Sequence, residues 1–166
     1  TPLEEAEKIS LSQLAQEINQ GKVKNIEVEV KYYLSNYEEV KSFLDQHTTL
    51  DKADQYQKDS YFTPAHDNFL DQKPTVDRWL RIRVADRGSS INYKHRHDNG
   101  SLGRISCDEI ETPIEDADQL EEIFRRIDMV KLVTVEKKRT SYHYKNTEIV
   151  LDHITDLGWF IEIENT

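Results

Sequence analysis

Stretch after stretch of this sequence alternates charged and apolar residues with a period of two, and most stretches carry charges of one sign. In "LRIRV", Arg81 and Arg83 alternate with Leu80, Ile82 and Val84. In "WFIEIEN", Glu162 and Glu164 alternate with Ile161 and Ile163, and in "TEIVLDHIT" Glu148 and Asp152 lie opposite Ile149 and Leu151. Glu109 shares a parity with Glu111, Lys137 with Arg139 and Ser141, and Lys94 with Asn92 and Arg96. "NIEVEVKYYL" places Glu27, Glu29 and Lys31 on one parity, with Val28 and Val30 between them. Alternate side chains of a β-strand share a face, so each stretch has an ionic face and an apolar one. A single strand of this kind is ordinarily half-exposed sheet, polar outside and apolar inside. The set departs from that pattern because acidic and basic pairs sit on different strands, whereas a solvated face mixes signs to avoid like-charge neighbours.

Helical segments offer a cover for the apolar faces. "NYEEVKSFLDQH" reads as a helix capped by Asn36, with Val40, Phe43 and Leu44 on one face. "EDADQLEEIFRRI" reads as a second, with Leu120, Ile123, Phe124 and Ile127 on its buried stripe. Leu11, Leu14, Ala15 and Ile18 predict a further short helix before Gly21. Strands are expected over 26–34, 51–62, 78–86, 91–97, 104–114, 129–145, 147–155 and 158–165, with a proline-bearing loop at 63–77 and turns at 87–90, Asn99–Gly100, Asn146 and 156–158. The fold class is α+β, an antiparallel sheet with helices packed outside. Helices over the apolar outside would leave the ionic faces lining the interior of a closed sheet.

Composition narrows the function. The 166 residues suit one domain. Lys and Arg number 22 against 32 Asp and Glu, a formal charge of −10, so no nucleic-acid partner is expected from net charge. One cysteine, Cys107, excludes an internal disulfide and a Cys-based zinc cage. With no apolar run near the roughly 20 residues of a membrane span and no signal-peptide pattern, a cytoplasmic location is expected. No Gly-rich phosphate loop is present. "HRHDNG" (His95–Gly100) reads as a hairpin end rather than a metal site, His66 as a surface residue, and Trp79 and Trp159 as packing under the helices.

An interior lined by Arg, Lys and Glu is unstable when dry, since an unpaired buried charge costs several kcal/mol. It needs water, cations and an anion. Carboxylates take hard divalent ions such as Mg²⁺ or Mn²⁺, and Arg and Lys clamp phosphate oxygens. A metal-chelated polyphosphate satisfies both sets.

In order along the chain, "EVEVK" (Glu27–Lys31), "LRIR", "YK" (Tyr93–Lys94), "DEIET" (Asp108–Thr112), "KKR" (Lys137–Arg139), "VLD" (Val150–Asp152) and "LGWFIEIE" (Leu157–Glu164) resemble the motif series of the CYTH superfamily, the triphosphate tunnel metalloenzymes. "DSYFTPAHDNF" is most similar to the class IV adenylyl cyclase branch. The resemblance implies a closed antiparallel β-barrel of about eight strands, a tunnel holding triphosphate with Mg²⁺ or Mn²⁺. It implies that Lys31, Arg81, Arg83, Lys94, Lys137 and Arg139 bind substrate, with Lys31 and Arg83 catalytic. Glu27, Glu29, Glu162 and Glu164 would hold metal, and Glu109, Glu111 and Asp152 would be further tunnel carboxylates. Cys107 stands where many members carry a basic residue, one phosphate ligand fewer. The implied activity is conversion of ATP to cyclic AMP and pyrophosphate. Hydrolysis of inorganic, thiamine or nucleoside triphosphates is the alternative within the family, and a non-catalytic polyphosphate- or nucleotide-binding module the alternative outside it. A homodimer is also implied. The expected organisation is a helical extension over 1–24 and a tunnel domain over 25–166 that stops short of the family's closing segment.

Overall fold

The computed structural model describes residues 29–69, 77–98 and 105–165; for Glu29, Val30, Asp98 and 105–107 it describes the backbone alone. The expected helix before Gly21, the Asn99–Gly100 turn and Glu27 lie outside the described residues. Strand β1 (Glu29–Leu34) is followed by helix α1 (Tyr37–His47), then β2 (Thr49–Pro64), β3 (Arg78–Ala85), β4 (Gly88–Asp98) and β5 (Ile105–Ile114). Helix α2 (Ala117–Arg126) leads to β6 (Met129–Tyr144), β7 (Thr147–Ile154) and β8 (Gly158–Asn165). All eight strands form one sheet in the order β1-β8-β7-β6-β2-β3-β4-β5, every neighbouring pair antiparallel. Among the described residues β1 and β5 are the two ends of that order, and no ladder joins them.

Each helix covers an apolar patch on the outer face. Leu44 of α1 packs with Tyr142 and Leu151, flanked by Leu34, Val40, Ile149 and Ile161. Tyr142 is fully buried, and its hydroxyl donates to Asp45 Oδ1 at 2.8 Å. Burial first, and that hydrogen bond second, push its ionisation up to about 12. Under α2, Phe124 meets Phe62 edge-to-face at 5.1 Å and packs with Ile82, Leu80, Ile91 and Leu120. The Asp116 carboxylate accepts from the Gln119 amide at 2.9 Å and caps α2.

Several expectations need correcting. Asn36 occupies the cap position of α1, but its side chain makes no capping bond and instead donates to Glu39 Oε2 at 3.2 Å. Phe43, Ile123 and Ile127 are exposed. Each helix is only 10 or 11 residues long and buries one residue, Leu44 or Phe124, and Ile127 is the cap beyond the last turn of α2. Trp159 stacks on Tyr37 of α1 with ring centroids 3.6 Å apart, as expected. Trp79 has the parity of Arg81 and Arg83 and lies opposite Lys94, so it belongs to the ionic face. The β3–β4 turn is tighter than expected: Ala85 pairs with Gly88, which supplies the φ of +129°.

Candidate functional site

The ionic faces of the strands are one continuous surface, and its centre is shut away from solvent. Asp152 and Asp59 are 0% and 1% exposed and Lys137 is 7% exposed, values that an outward-facing charged sheet does not show. Starting at β1, Lys31 Nζ donates to Glu162 Oε1 at 2.6 Å. Arg139 Nη2 reaches across β7 to Glu162 Oε2 at 2.7 Å. The same guanidinium grips Asp152 through Nε–Oδ1 at 2.8 Å and Nη2–Oδ2 at 2.6 Å. Lys137 Nζ lies 3.3 Å from Asp152 Oδ2 and 4.0 Å from Asp59 Oδ2. Arg83 grips Asp59 through Nε and Nη2, both at 2.7 Å, and Arg81 Nη1 lies 3.8 Å from it. The relay thus runs Lys31–Glu162–Arg139–Asp152–Lys137–Asp59–Arg83, with Arg81 beside the last pair.

Local geometry explains the continuity. Arg139 is the register partner of Asp152, and Asp59 that of Arg83, so opposite charges meet directly across the ladders. Lys31 and Glu162 are partners in the same way. Both helices pack on the opposite face, so the burial of Asp59, Asp152 and Lys137 makes the ionic face the concave side of the sheet.

Burial and ion pairing oppose each other here. Burial pushes the carboxyls of Asp59 and Asp152 up, but the hydrogen bonds and charges of Arg83 and Arg139, respectively, outweigh it and hold both below the usual range. Glu162 is also held low: burial raises it, and the charges of Arg139 and Lys31 lower it further. Burial lowers the Lys137 ammonium, and the charge of Arg139 adds to that. Arg139 itself is raised despite burial, through Asp152 and Glu162.

Among the described residues, Arg81, Arg83, Lys137 and Arg139, with the more exposed Lys31 at the edge, face Asp59, Asp152 and Glu162: five formal cations against three carboxylates. Arg81 Nε is buried and, among the described residues, lacks a hydrogen-bond partner. A buried orphan donor costs about 1–3 kcal/mol, so this nitrogen gains from any acceptor brought to it.

Carboxylates dominate the flanks. Glu148 and Glu164 are register partners on β7 and β8, and the Glu29 position of β1 is the other register partner of Glu164. Like charges directly opposite are unfavourable, and an oxygen-ligated cation relieves them. At the other end Glu109 accepts from Asn92 Nδ2 at 2.7 Å with Lys94 Nζ at 3.9 Å, and Glu111 accepts from Ser90 Oγ at 2.8 Å.

The structure therefore gathers Lys31, Arg81, Arg83, Lys94, Lys137, Arg139, Glu109, Glu111, Asp152 and Glu162 on one surface. It adds Asp59 at the centre, and Glu148 beside Glu164. Asp59 is absent from the site expected from the sequence, and Glu148 is expected on the ionic face with Asp152 but not among the site residues. A separate cluster also emerges: His95, His97 and Asp108 bring metal-capable atoms within 4.8 Å of one another, on a stretch expected to be only a hairpin end.

The candidate site is thus a buried, ion-paired antiparallel face with carboxylates on its flanks. The CYTH domain model matches residues 25–166, and the chain belongs to that family. A Methanocaldococcus jannaschii protein named "putative adenylate cyclase" is 29% identical over 143 residues, covering 85% of this chain and 77% of that one. A Pyrococcus horikoshii protein of known structure superposes with a TM-score of 0.68 at 25% identity, covering 85% of this chain and 79% of the other. The structure of a "putative adenylate cyclase" from Vibrio parahaemolyticus gives a TM-score of 0.66 at 16% identity over 87% and 78% of the two chains, a likeness of fold. No described helix is long and apolar enough to cross a membrane.

Proposed function

We propose that this chain is a metal-dependent enzyme that binds the triphosphate of ATP along its concave face and forms cyclic AMP and pyrophosphate. The carrying observation is the buried ionic face centred on Asp59, Lys137 and Asp152, with the orphaned Arg81 Nε at its edge. The ion pairs act as placeholders: an incoming polyphosphate takes over the guanidinium and ammonium donors, and the released carboxylates turn to the accompanying cation. The ligand and its cation together bring negative charge, which the cations of the relay offset, and that keeps the cost of the exchange low. The name of the Methanocaldococcus jannaschii relative favours cyclisation.

In this reading Arg81, Arg83, Lys137 and Arg139 hold phosphate oxygens, with Lys94 at the β4 end. Asp59 holds Arg83 in place through its paired bonds until the ligand arrives. Glu162 and Glu164, with Glu148 the register partner of Glu164, would hold the cation, and Glu27 and Glu29 are the further ligands that the family resemblance implies; an all-oxygen donor set fits Mg²⁺ or Mn²⁺. The ion supplies charge neutralisation between the carboxylate row and the phosphate. The 3′-hydroxyl oxygen bonds to the α-phosphorus, its proton leaves, and the bond to the bridging pyrophosphate oxygen breaks. Arg83 stabilises charge on the transferred phosphoryl group, and Lys31, the relay's more exposed end, stands near the attacking group. The sheet closes around the ligand as a tunnel.

The test is incubation with ATP, and separately with tripolyphosphate, in the presence of Mg²⁺ or Mn²⁺. Cyclic AMP from ATP is expected. Orthophosphate from either compound would assign the site to a triphosphatase, binding without turnover to a non-catalytic module, and absence of binding would overturn the reading.

A further inference from the structure

We propose that His95, His97 and Asp108 form a second metal site, for a borderline transition cation such as Zn²⁺, on the outer face of the β4–β5 pair. His95 and His97 are two residues apart on β4 and share a face; their ring centroids are 4.1 Å apart. Asp108 is the register partner of His95 on β5, which brings its carboxylate to the same face. Their ligand atoms all lie within 4.8 Å of one another, and His97 Nε2 is already 2.7 Å from Asp108 Oδ2. Donors around a tetrahedral Zn²⁺ with bonds of 2.0–2.1 Å are about 3.3 Å apart. Rotations of half-exposed side chains cover the difference.

The site is distinct from the concave face. Asn92 and Lys94, which meet Glu109 on that face, have the opposite parity to His95 and His97 on β4. Ile91, on the histidine parity, packs with the apolar group under α2. The chemistry differs as well: the concave face offers oxygen donors, suited to Mg²⁺ or Mn²⁺, whereas two imidazoles and a carboxylate suit Zn²⁺.

Asp77 supplies an outer carboxylate. Its Oδ2 is 3.8 Å from His95 Nε2, and its carbonyl accepts from the Arg96 amide at 2.7 Å, which ties it to β4 beside the imidazoles. A carboxylate behind a ligating imidazole orients the ring and raises its basicity. Arg78 Nε lies 3.6 Å from Asp77, and its guanidinium is neutralised by paired bonds to Asp67 at 2.8 and 3.3 Å. The proposed ion would clip β5, the end strand of the sheet order, to β4. Nothing in this proposal depends on the triphosphate reading.

The experiment uses the untagged, chelator-stripped full chain in millimolar Mg²⁺, titrated with Co²⁺ and then Zn²⁺, with cobalt visible absorption and competition against a chromophoric chelator as readouts. The expected result is a single Co²⁺ with tetrahedral absorption, displaced by Zn²⁺. His95→Ala and His97→Ala should each weaken Zn²⁺ by about 100-fold or more, and Asp77→Asn by about 10-fold, while Glu162→Gln leaves it unchanged. Far-UV circular dichroism checks that the variants are folded, which the surface position of His95, His97 and Asp77 makes the expected outcome for theirs. Absence of Zn²⁺ binding at micromolar concentrations would overturn the site. So would equal affinity in the histidine variants, or loss in Glu162→Gln alone.

Discussion

Asp59→Asn tests the idea that the buried ion pairs hold the place of a polyanion. Asp59 is 1% exposed, takes two 2.7 Å bonds from Arg83, and has Arg81 and Lys137 at 3.8 and 4.0 Å. Removing one partner of a buried pair costs about 3–5 kcal/mol, because the other charge stays buried and uncompensated. Asparagine keeps an oxygen for one Arg83 bond, which puts the loss near the lower end, about 3 kcal/mol. At about 2–4 °C per kcal/mol for a chain of this size, Tm should fall by about 6–12 °C. Tripolyphosphate should reverse much of the fall: its oxygens satisfy the stranded cations, and the variant has one negative charge fewer to repel it. Thermal unfolding followed by circular dichroism, with and without saturating tripolyphosphate, reads both effects. A fall of equal size under both conditions would refute the exchange. So would an unchanged apo Tm.

Three other perturbations follow from the same network. Burial disfavours the Lys137 cation, so Lys137→Met should leave the apo Tm unchanged or higher while weakening tripolyphosphate at least about 10-fold by calorimetry; a large apo destabilisation would contradict this. Arg81→Ala should weaken tripolyphosphate more than orthophosphate in competition titrations, because the longer ligand reaches more of the donors; equal losses would argue against a clamp. Asp59, Asp152 and Glu162 are held below their ordinary values of 3.8, 3.8 and 4.5. Their stabilisation is fully present above those values and is lost as pH falls through the lower folded-state ones. The apo Tm should therefore be nearly flat from about pH 7 to about pH 5 and fall steeply below about pH 4; a maximum at acid pH would contradict the pairing.

Most of this site was legible because strand periodicity is a strong signal where ionic residues recur on one parity, as in β3 and β8, even though Lys138 and Arg78 fall on the other. Arg81 and Arg83, Lys137 and Arg139, and Glu162 all lie on the shared face that the alternation implies. Asp59 escaped because "QKDSYF" has polar residues on both parities, with Lys58, Asp59 and Ser60 consecutive. Counting from the start of the strand fails too: β2 shifts register between Leu50 and Lys52 and again between Lys52 and Gln55, with Asp54 at φ 49°. The useful signal lay across the ladder, in a lone acid opposite Arg83. Trp79 was misplaced for another reason. Its size suggested a core position, yet its parity with Arg81 already put it on the ionic face. The His95–His97–Asp108 group needed the β4–β5 register, since the carboxylate lies eleven residues beyond His97 in the chain.

The central claim is that the concave face binds triphosphate together with a hard divalent cation. Calorimetric titration of the chain with tripolyphosphate, with and without Mn²⁺, repeated on Arg83→Ala, tests it most directly. The account predicts tight binding that strengthens with Mn²⁺ and falls at least about 100-fold in the variant, the loss expected for a buried bidentate donor. Affinity that is indifferent to Mn²⁺ and to Arg83 would contradict it.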